Sequence, residues 1–94
     1  MLNENVRQFN ISVGQKIKTR RLELKKTQSW LAKKIGVTFQ QVQKYEKGSN
    51  GTNLFNLKQI ADALQVSVLY FFVAEKPLLL TKEMEITNDQ SASR

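Results

Sequence analysis

Hydrophobic residues recur three and four positions apart along most of the first 70 residues, which is the spacing of amphipathic helices. The clearest example is the set Leu57, Ile60, Ala61 and Leu64, which follows the i, i+3, i+4, i+7 pattern. Five such segments precede Pro77, and none of them has the alternation of a strand. The pattern predicts an all-α fold, a compact five-helix bundle followed by a short C-terminal extension.

Capping residues precede four of the five predicted helices, at Ser12, Thr27, Thr38 and Ser67. A glutamine three positions after the first and the third of these caps completes a capping box. The first helix is expected to run to about Lys25. Gly36 and Gly48 follow the second and third helices, at positions where a left-handed residue ends a helix.

One side of each predicted helix is apolar, and these sides are expected to form the core. The inward residues are Val13, Ile17 and Leu24 with Arg21 on their flank, Leu31, Ala32 and Ile35, Val42 and Tyr45, Leu57, Ile60, Ala61 and Leu64, and finally Leu69 and Phe72. The sequence thus divides into an N-terminal arm (1–11), a helical domain (12–74) and a C-terminal extension (75–94) with a polar end. Leu78–Leu80 in the extension are three consecutive apolar residues, which we expect to be buried against other apolar groups. They can fold back on the fifth helix or contact another subunit, and the sequence leaves both open.

Composition removes several classes of function. The 94-residue chain is long enough for one small domain and contains no cysteine and no histidine. We therefore expect no metal, no cofactor and no disulfide, and no enzyme, because a nucleophile–base pair cannot be assembled. The longest apolar run, Val66–Ala74, is interrupted by Ser67 and is too short to span a bilayer, and Met1–Asn5 does not resemble a signal peptide. A cytoplasmic protein with no membrane partner is expected.

Charge is concentrated in the first half of the chain. Residues 1–50 contain 11 Lys/Arg against 3 Asp/Glu, whereas residues 51–94 contain 4 against 5, and the whole chain has a net charge of +7. A surface that serves only solubility would mix both signs more evenly. The asymmetry favours a polyanionic partner for the first half.

The segment 27–45, TQSWLAKKIGVTFQQVQKY, has the spacing of two short helices joined by a tight turn. Ala32 lies four residues before Gly36, and Val42 lies six residues after it. Two helices that cross steeply leave room only for a small side chain at Ala32, and Gly36 supplies the positive φ that the turn requires. This arrangement is a helix-turn-helix.

From about Val13 to Phe72 the chain resembles the phage-repressor and Cro-like (XRE-type) helix-turn-helix family of bacterial and phage regulators. The matching positions are Gln28, Leu31-Ala32, Gly36-Val37-Thr38, Val42, Tyr45-Glu46, Gly48, Ile60-Ala61, Ala63-Leu64 and Val66-Ser67. The resemblance implies a lambda-repressor-like DNA-binding domain, in which Arg21 and Glu46 pair to brace the first helix against the third. Lys25 and Lys26 depart from the family, which usually has glycine and an apolar residue there.

The resemblance also implies which residues contact DNA. The third helix would lie in the major groove, where Phe39, Gln40, Gln41, Gln43 and Lys44 would contact base edges. For two of these residues an alternative stays open, because the capping box can occupy Gln41 and the core can include Phe39. Phosphate contacts are expected from Gln28 at the start of the second helix and from Lys47, Ser49, Asn50 and Thr52 after the third.

The predicted function is a sequence-specific regulator of transcription that binds double-stranded DNA. Repression through a two-fold operator is expected, with a homodimer formed through the extension, because one helix-turn-helix reads only a few base pairs. The alternative is an antitoxin-type interaction module that binds a protein partner through its tail and regulates its own synthesis.

Overall fold

A computed structural model describes residues 3–73 of the chain, which form four α-helices and one 3₁₀ helix. They are α1 (Glu4–Glu23), α2 (Gln28–Ile35), α3 (Phe39–Lys47), α4 (Leu54–Leu64) and the 3₁₀ helix (Val68–Phe72). No strand occurs between residues 3 and 73, in agreement with the predicted all-α class. The count of five helices is not confirmed, because the fifth segment is a short 3₁₀ helix. The extension from residue 75 lies outside the described residues.

The predicted start of the first helix, at Ser12, is wrong. Asn3 is the N-cap, and its side chain accepts a hydrogen bond from the Val6 N–H at 2.9 Å. Arg7 and Gln8 donate to the Glu4 carboxylate, and the bond from the Arg7 guanidinium holds the pKa of that carboxyl below its usual value. Residues 4–11, expected to be an arm, are therefore the first part of a continuous 20-residue helix.

The other helix ends follow the local capping chemistry. The hydroxyls of Thr27 and Thr38 accept from backbone N–H groups three residues later, as predicted. Gly36 and Gly48 end α2 and α3 with φ of 73° and 77°. Asn53 caps α4 and accepts from an N–H three residues later at 2.7 Å. Short helices in this chain thus begin and end where a side chain or a glycine satisfies their free backbone groups.

The core contains the predicted inward residues of α1 to α4, with Leu24 only partly buried. The prediction fails in the last segment, where Leu69 and Phe72 are 67% and 46% exposed and Phe71 is 1% exposed. A 3₁₀ helix has about three residues per turn, so Val68 and Phe71 share one side of it. Leu69 and Phe72 are also three residues apart, so the prediction had a compatible spacing but placed the wrong side of this helix against the core.

Helix α3 packs against α1 at very short range, and this contact positions the rest of the molecule. A Cβ atom added at Gly14 would lie 2.3 Å from the backbone oxygen of Tyr45. The two helix backbones therefore approach as closely as a residue without a side chain allows. Helix α2 packs on both α3 and α4 and completes the core. Within residues 3–73, every helix is too short or too polar to cross a membrane.

Candidate nucleic-acid interface

Helix α3 has a buried side and an outward side. With about 3.6 residues per turn, one side collects five residues: Phe39, Gln40, Gln43, Lys44 and Lys47. All of these are exposed except Gln43, which is half-buried. The opposite side consists of Val42, Tyr45 and Glu46, all of them buried. The outward side is a ridge of amide, ammonium and phenyl groups, and we call these five residues the α3 ridge.

Two alternatives from the sequence concern the start of this helix. Phe39 is 40% exposed, whereas Val42 is fully buried, so Phe39 lies outside the core. Gln41 is half-buried and lies on the flank of the α3 ridge. Its backbone N–H donates to the Thr38 hydroxyl at 3.1 Å, which is the threonine half of the capping box.

A buried ion pair fixes α3 on α1. Arg21 donates from Nε and Nη2 to the two carboxylate oxygens of Glu46, at 2.7 and 3.0 Å. The two side chains are 7% and 3% exposed. Arg21 also donates to the carbonyl of Lys26 at 2.7 Å. Since burying charges is costly unless their hydrogen bonds are made, this bidentate pair is strongly constrained in geometry. It is the brace that the family resemblance implies.

Gln28 lies at the first position of α2, as predicted, but its side chain has a partner within the protein. Its Nε2 donates to Glu46 Oε1 at 2.8 Å. An amide nitrogen carries two hydrogens, so one N–H is engaged and the other can donate elsewhere. Gln28 is therefore attached to the Arg21–Glu46 pair, and its orientation depends on that pair.

The loop after α3 presents polar side chains close to the C-terminal end of the ridge. Ser49 and Asn50 are exposed, and the Ser49 N–H donates to the Lys44 carbonyl at 3.0 Å. Thr52 is half-buried, and its hydroxyl donates to the Asn53 carbonyl at 3.4 Å. Asn50 and Thr52 also line a cavity beside α1. Of the predicted phosphate contacts in this loop, Ser49 and Asn50 are thus the more accessible.

The turn between α2 and α3 has the expected geometry. Ala32 is buried, and its carbonyl accepts from the N–H groups of Gly36 and Val37. A Cβ atom at Gly36 would meet nothing within 4 Å. Glycine is therefore favoured at this turn by its left-handed backbone and not by a lack of space.

Sequence reasoning missed one residue that shapes the site and left the conformation of another unexplained. Gly14 allows the close approach of α1 to α3, and its position next to inward-facing Val13 could have indicated this. Lys25 has φ of 61°, in the left-handed region. Glycine adopts that conformation freely, which fits the glycine that the family resemblance implies at this position. A lysine in this conformation carries a conformational cost.

Trp30 belongs to the supporting structure and not to the ridge. It is partly buried against the core, and the ammonium groups of Lys26 and Lys34 lie 5.1 and 5.6 Å from the centre of its ring. Such contacts hold two lysines on the surface of α2. Part of the basic charge of the first half is thereby ordered next to the helix-turn-helix.

The chemistry of the α3 ridge suits the edges of base pairs. Glutamine amides both donate and accept, lysine donates, and a phenyl ring can contact a thymine methyl group. The ridge contains no acidic side chain. Residues 3–73 hold no cluster of three His, Cys, Asp or Glu side chains. A helix-turn-helix with a polar, basic outward face defines the class of DNA-binding regulatory domains.

Comparison with known proteins identifies the family. A family model described as helix-turn-helix matches residues 17–71, which is more than half of the chain. The chain therefore belongs to the Cro/C1-type helix-turn-helix family.

Three relatives illustrate the similarity. An uncharacterized HTH-type transcriptional regulator, y4aM of Sinorhizobium fredii, is 54% identical over 63 residues, which cover 67% of this chain and 44% of the relative. An uncharacterized transcriptional regulator in the ATPase CF(0) region of Rhodospirillum rubrum is 50% identical over 60 residues, which cover 64% of this chain and 56% of the relative. The cryptic phage CTXphi transcriptional repressor RstR of Vibrio cholerae is 33% identical over 58 residues, covering 62% and 52%. The chain thus spans about half the length of these relatives.

Proposed function

We propose that the protein regulates transcription by binding double-stranded DNA, and that it acts as a repressor by occupying an operator. The single observation that carries the proposal is the exposed α3 ridge, held in place by the buried Arg21–Glu46 pair. A rigid helix whose outward side offers amide and ammonium groups can enter the major groove and discriminate between base pairs. The names of the relatives support the same function.

Base contacts are assigned to Phe39, Gln40, Gln41, Gln43 and Lys44. The exposed members of this set are the principal contacts, and the half-buried Gln41 and Gln43 reach bases from the flank and from the middle of the ridge. Phosphate contacts are assigned to Gln28, Lys47, Ser49, Asn50 and Thr52. Lys47 is the last residue of the ridge and the three loop residues follow it, while Gln28 lies at the first position of α2, where backbone N–H groups favour an anion. Phosphate contacts set register and affinity, while base contacts set sequence preference.

The protein is proposed to bind as a homodimer to an operator with two-fold symmetry. One recognition helix of nine residues covers only a few base pairs, which is too little for a unique site. Two copies related by a two-fold axis double the length that is read. The antitoxin alternative receives no support from residues 3–73 or from the relatives.

The function is tested by selecting bound duplexes from a random pool with the full chain. The expected product is a motif with two-fold symmetry and half-sites about one helical turn apart. A triple variant of the ridge, with Gln40→Ala, Gln43→Ala and Lys44→Ala, is the control and should select no motif. Enrichment of no motif by the natural chain, or enrichment of the same motif by the triple variant, would contradict the proposal.

A further inference from the structure

An apolar groove lies on the side of the molecule where α1, α4 and the 3₁₀ helix meet. It is a cavity of about 260 Å³, and the apolar residues that line it include Phe9, Val13, Leu54, Leu57 and Phe72. We call it the α1–α4 groove. Phe9 and Phe72 are stacked with their ring centres 5.9 Å apart and form one wall.

The groove is surrounded by large side chains that remain in contact with water. Phe9 is 52% exposed, Leu54 is 82% exposed, and Phe55 on the same turn of α4 is 67% exposed. Soluble proteins seldom expose several large apolar side chains side by side unless the patch binds something. The α3 ridge does not account for them, because none of its five residues lines the groove.

The end of the described chain indicates the occupant. Phe72 lines the groove, and Val73, the last described residue, directly follows it. Four residues separate Val73 from Leu78, so an extended chain can carry Leu78 up to about 17 Å from Val73. Pro77 favours an extended conformation for the residue before it, which suits a short connection. Leu78–Leu80 are three consecutive aliphatic residues between Pro77 and a polar threonine.

We propose that Leu78–Leu80 dock in the α1–α4 groove of their own chain and cover it. A second copy could supply the same leucines, but a segment tethered by four residues has an effective concentration in the millimolar range at its own groove. Docking within one chain is therefore favoured over docking between two copies when the protein concentration is well below the millimolar range. This inference does not depend on DNA binding, and neither test below includes DNA.

The first test uses the absence of cysteine from the natural chain. Two cysteines are introduced, Leu54→Cys at the rim of the groove and Leu79→Cys in the extension, and the protein is treated at low micromolar concentration with a short bis-maleimide. The expected main product is a monomer with one internal cross-link. The matched control pairs Leu79→Cys with Lys33→Cys, an exposed position on α2, and α2 contributes no lining residue. Its yield should be lower by about tenfold or more.

Two outcomes would overturn the inference. A covalent dimer as the main product would assign the groove to the leucines of a second copy. Equal yields of the internal cross-link in both pairs would show that the leucines have no preferred location.

The second test measures amide hydrogen exchange after Leu79→Ser, and after the triple change of Leu78, Leu79 and Leu80 to serine. We expect exchange to rise by about tenfold at Phe9–Val13 and Leu54–Leu57 and to stay unchanged in α2. Circular dichroism checks that both variants are folded. If the triple variant is unfolded, the exchange measured for Leu79→Ser alone decides the test. Unchanged exchange at the groove, or an equal rise in all four helices, would contradict local docking.

Discussion

At the scale of single residues, Lys25 illustrates a conflict between local preference and fold. Its φ of 61° places a residue with a Cβ atom in a conformation that glycine adopts freely. The chain makes this turn because Lys25 and Lys26 donate backbone hydrogen bonds to the carbonyls of Leu22 and Arg21. These two hydrogen bonds to the end of α1 thus fix the tight link between α1 and α2, although lysine prefers a negative φ.

We predict that Lys25→Gly stabilises the protein. Removal of the left-handed penalty, about 1–2 kcal/mol, is partly offset by the greater freedom of glycine in the unfolded chain, leaving a gain of about 0.5–1 kcal/mol. Urea unfolding measures it. Lys25→Ala removes the same charge but retains the Cβ atom, so its stability should stay within about 0.5 kcal/mol of the natural chain. Equal gains for both variants would assign the effect to charge.

The Arg21–Glu46 pair gives a second prediction at this scale. Glu46→Gln leaves the buried Arg21 guanidinium without a counter-charge and should lower the free energy of unfolding by about 3 kcal/mol. The control is Glu23→Gln, which breaks the Arg20–Glu23 pair, whose carboxylate side chain is 55% exposed, and should cost less than about 1 kcal/mol. Thermal or urea unfolding distinguishes them. Similar decreases in the free energy of unfolding of the two variants would mean that burial does not make the Arg21–Glu46 pair more important for stability.

The assignment of base and phosphate contacts gives a third prediction at the scale of residues. Gln40→Ala or Lys44→Ala should reduce the preference for particular base pairs by about 1–3 kcal/mol. Lys47→Ala should weaken binding to all duplexes alike and reduce the salt slope by about one. Titrations of specific and scrambled duplexes at several salt concentrations measure both effects. Lys58→Ala on α4 is the charge-matched control and should retain specificity. Identical behaviour of the Gln40 and Lys47 variants would refute the division of these residues into base contacts and phosphate contacts.

At the scale of helices, the close approach of α1 and α3 at Gly14 sets the position of α3. The carbonyls of Tyr45 and Glu46 lie where a side chain at position 14 would be. Backbone atoms in two packed helices cannot move aside one by one. Any side chain at position 14 must therefore push α1 and α3 apart and strain the ion pair that joins them.

We predict that Gly14→Ala destabilises the protein more than Gly36→Ala does. The first substitution creates a clash with backbone atoms at 2.3 Å and should cost about 3 kcal/mol, although alanine favours helices. The second meets no atom within 4 Å and carries only the left-handed penalty of about 1 kcal/mol. Denaturant unfolding of both variants gives the comparison. A Gly14→Ala protein as stable as the natural chain would show that the helices separate easily.

At the scale of the whole molecule, charge and symmetry govern the proposed complex. The net charge of +7 attracts any duplex, so in the proposed dimer the preference for one site comes from fitting two recognition helices at once. The two helices of a dimer are held at a fixed separation. The spacing of the half-sites on DNA is then a direct consequence of the structure of the dimer.

We predict that inserting five base pairs between the half-sites abolishes specific binding. The insertion turns one half-site by about half a turn, so that the second helix faces away from its groove. Affinity should fall to that of a scrambled duplex of equal length, measured by fluorescence anisotropy with the natural chain. A one-base change outside both half-sites is the control. Unchanged affinity after the insertion would mean that each copy binds independently.

The sequence by itself determined what depends on neighbouring residues. Caps at Thr27 and Thr38, glycines after α2 and α3, and the apolar spacing from Leu57 to Leu64 act within one or two helical turns. These features therefore predicted three helices and most of the core. The start of α1 was misplaced because Ser12 and Asn3 both have the chemistry of a cap, and the continuing hydrogen bonds from Glu4 onward decided between them.

Only the tertiary structure decided the features that join distant parts of the chain. The approach of α1 to α3 at Gly14, the bond from Gln28 to Glu46, and the burial of Phe71 in place of Phe72 all depend on how helices cross. Periodicity shows that a residue faces inward, but it does not show what lies opposite. Packing between segments that are far apart in sequence determines that, since the free energy of each contact depends on both partners.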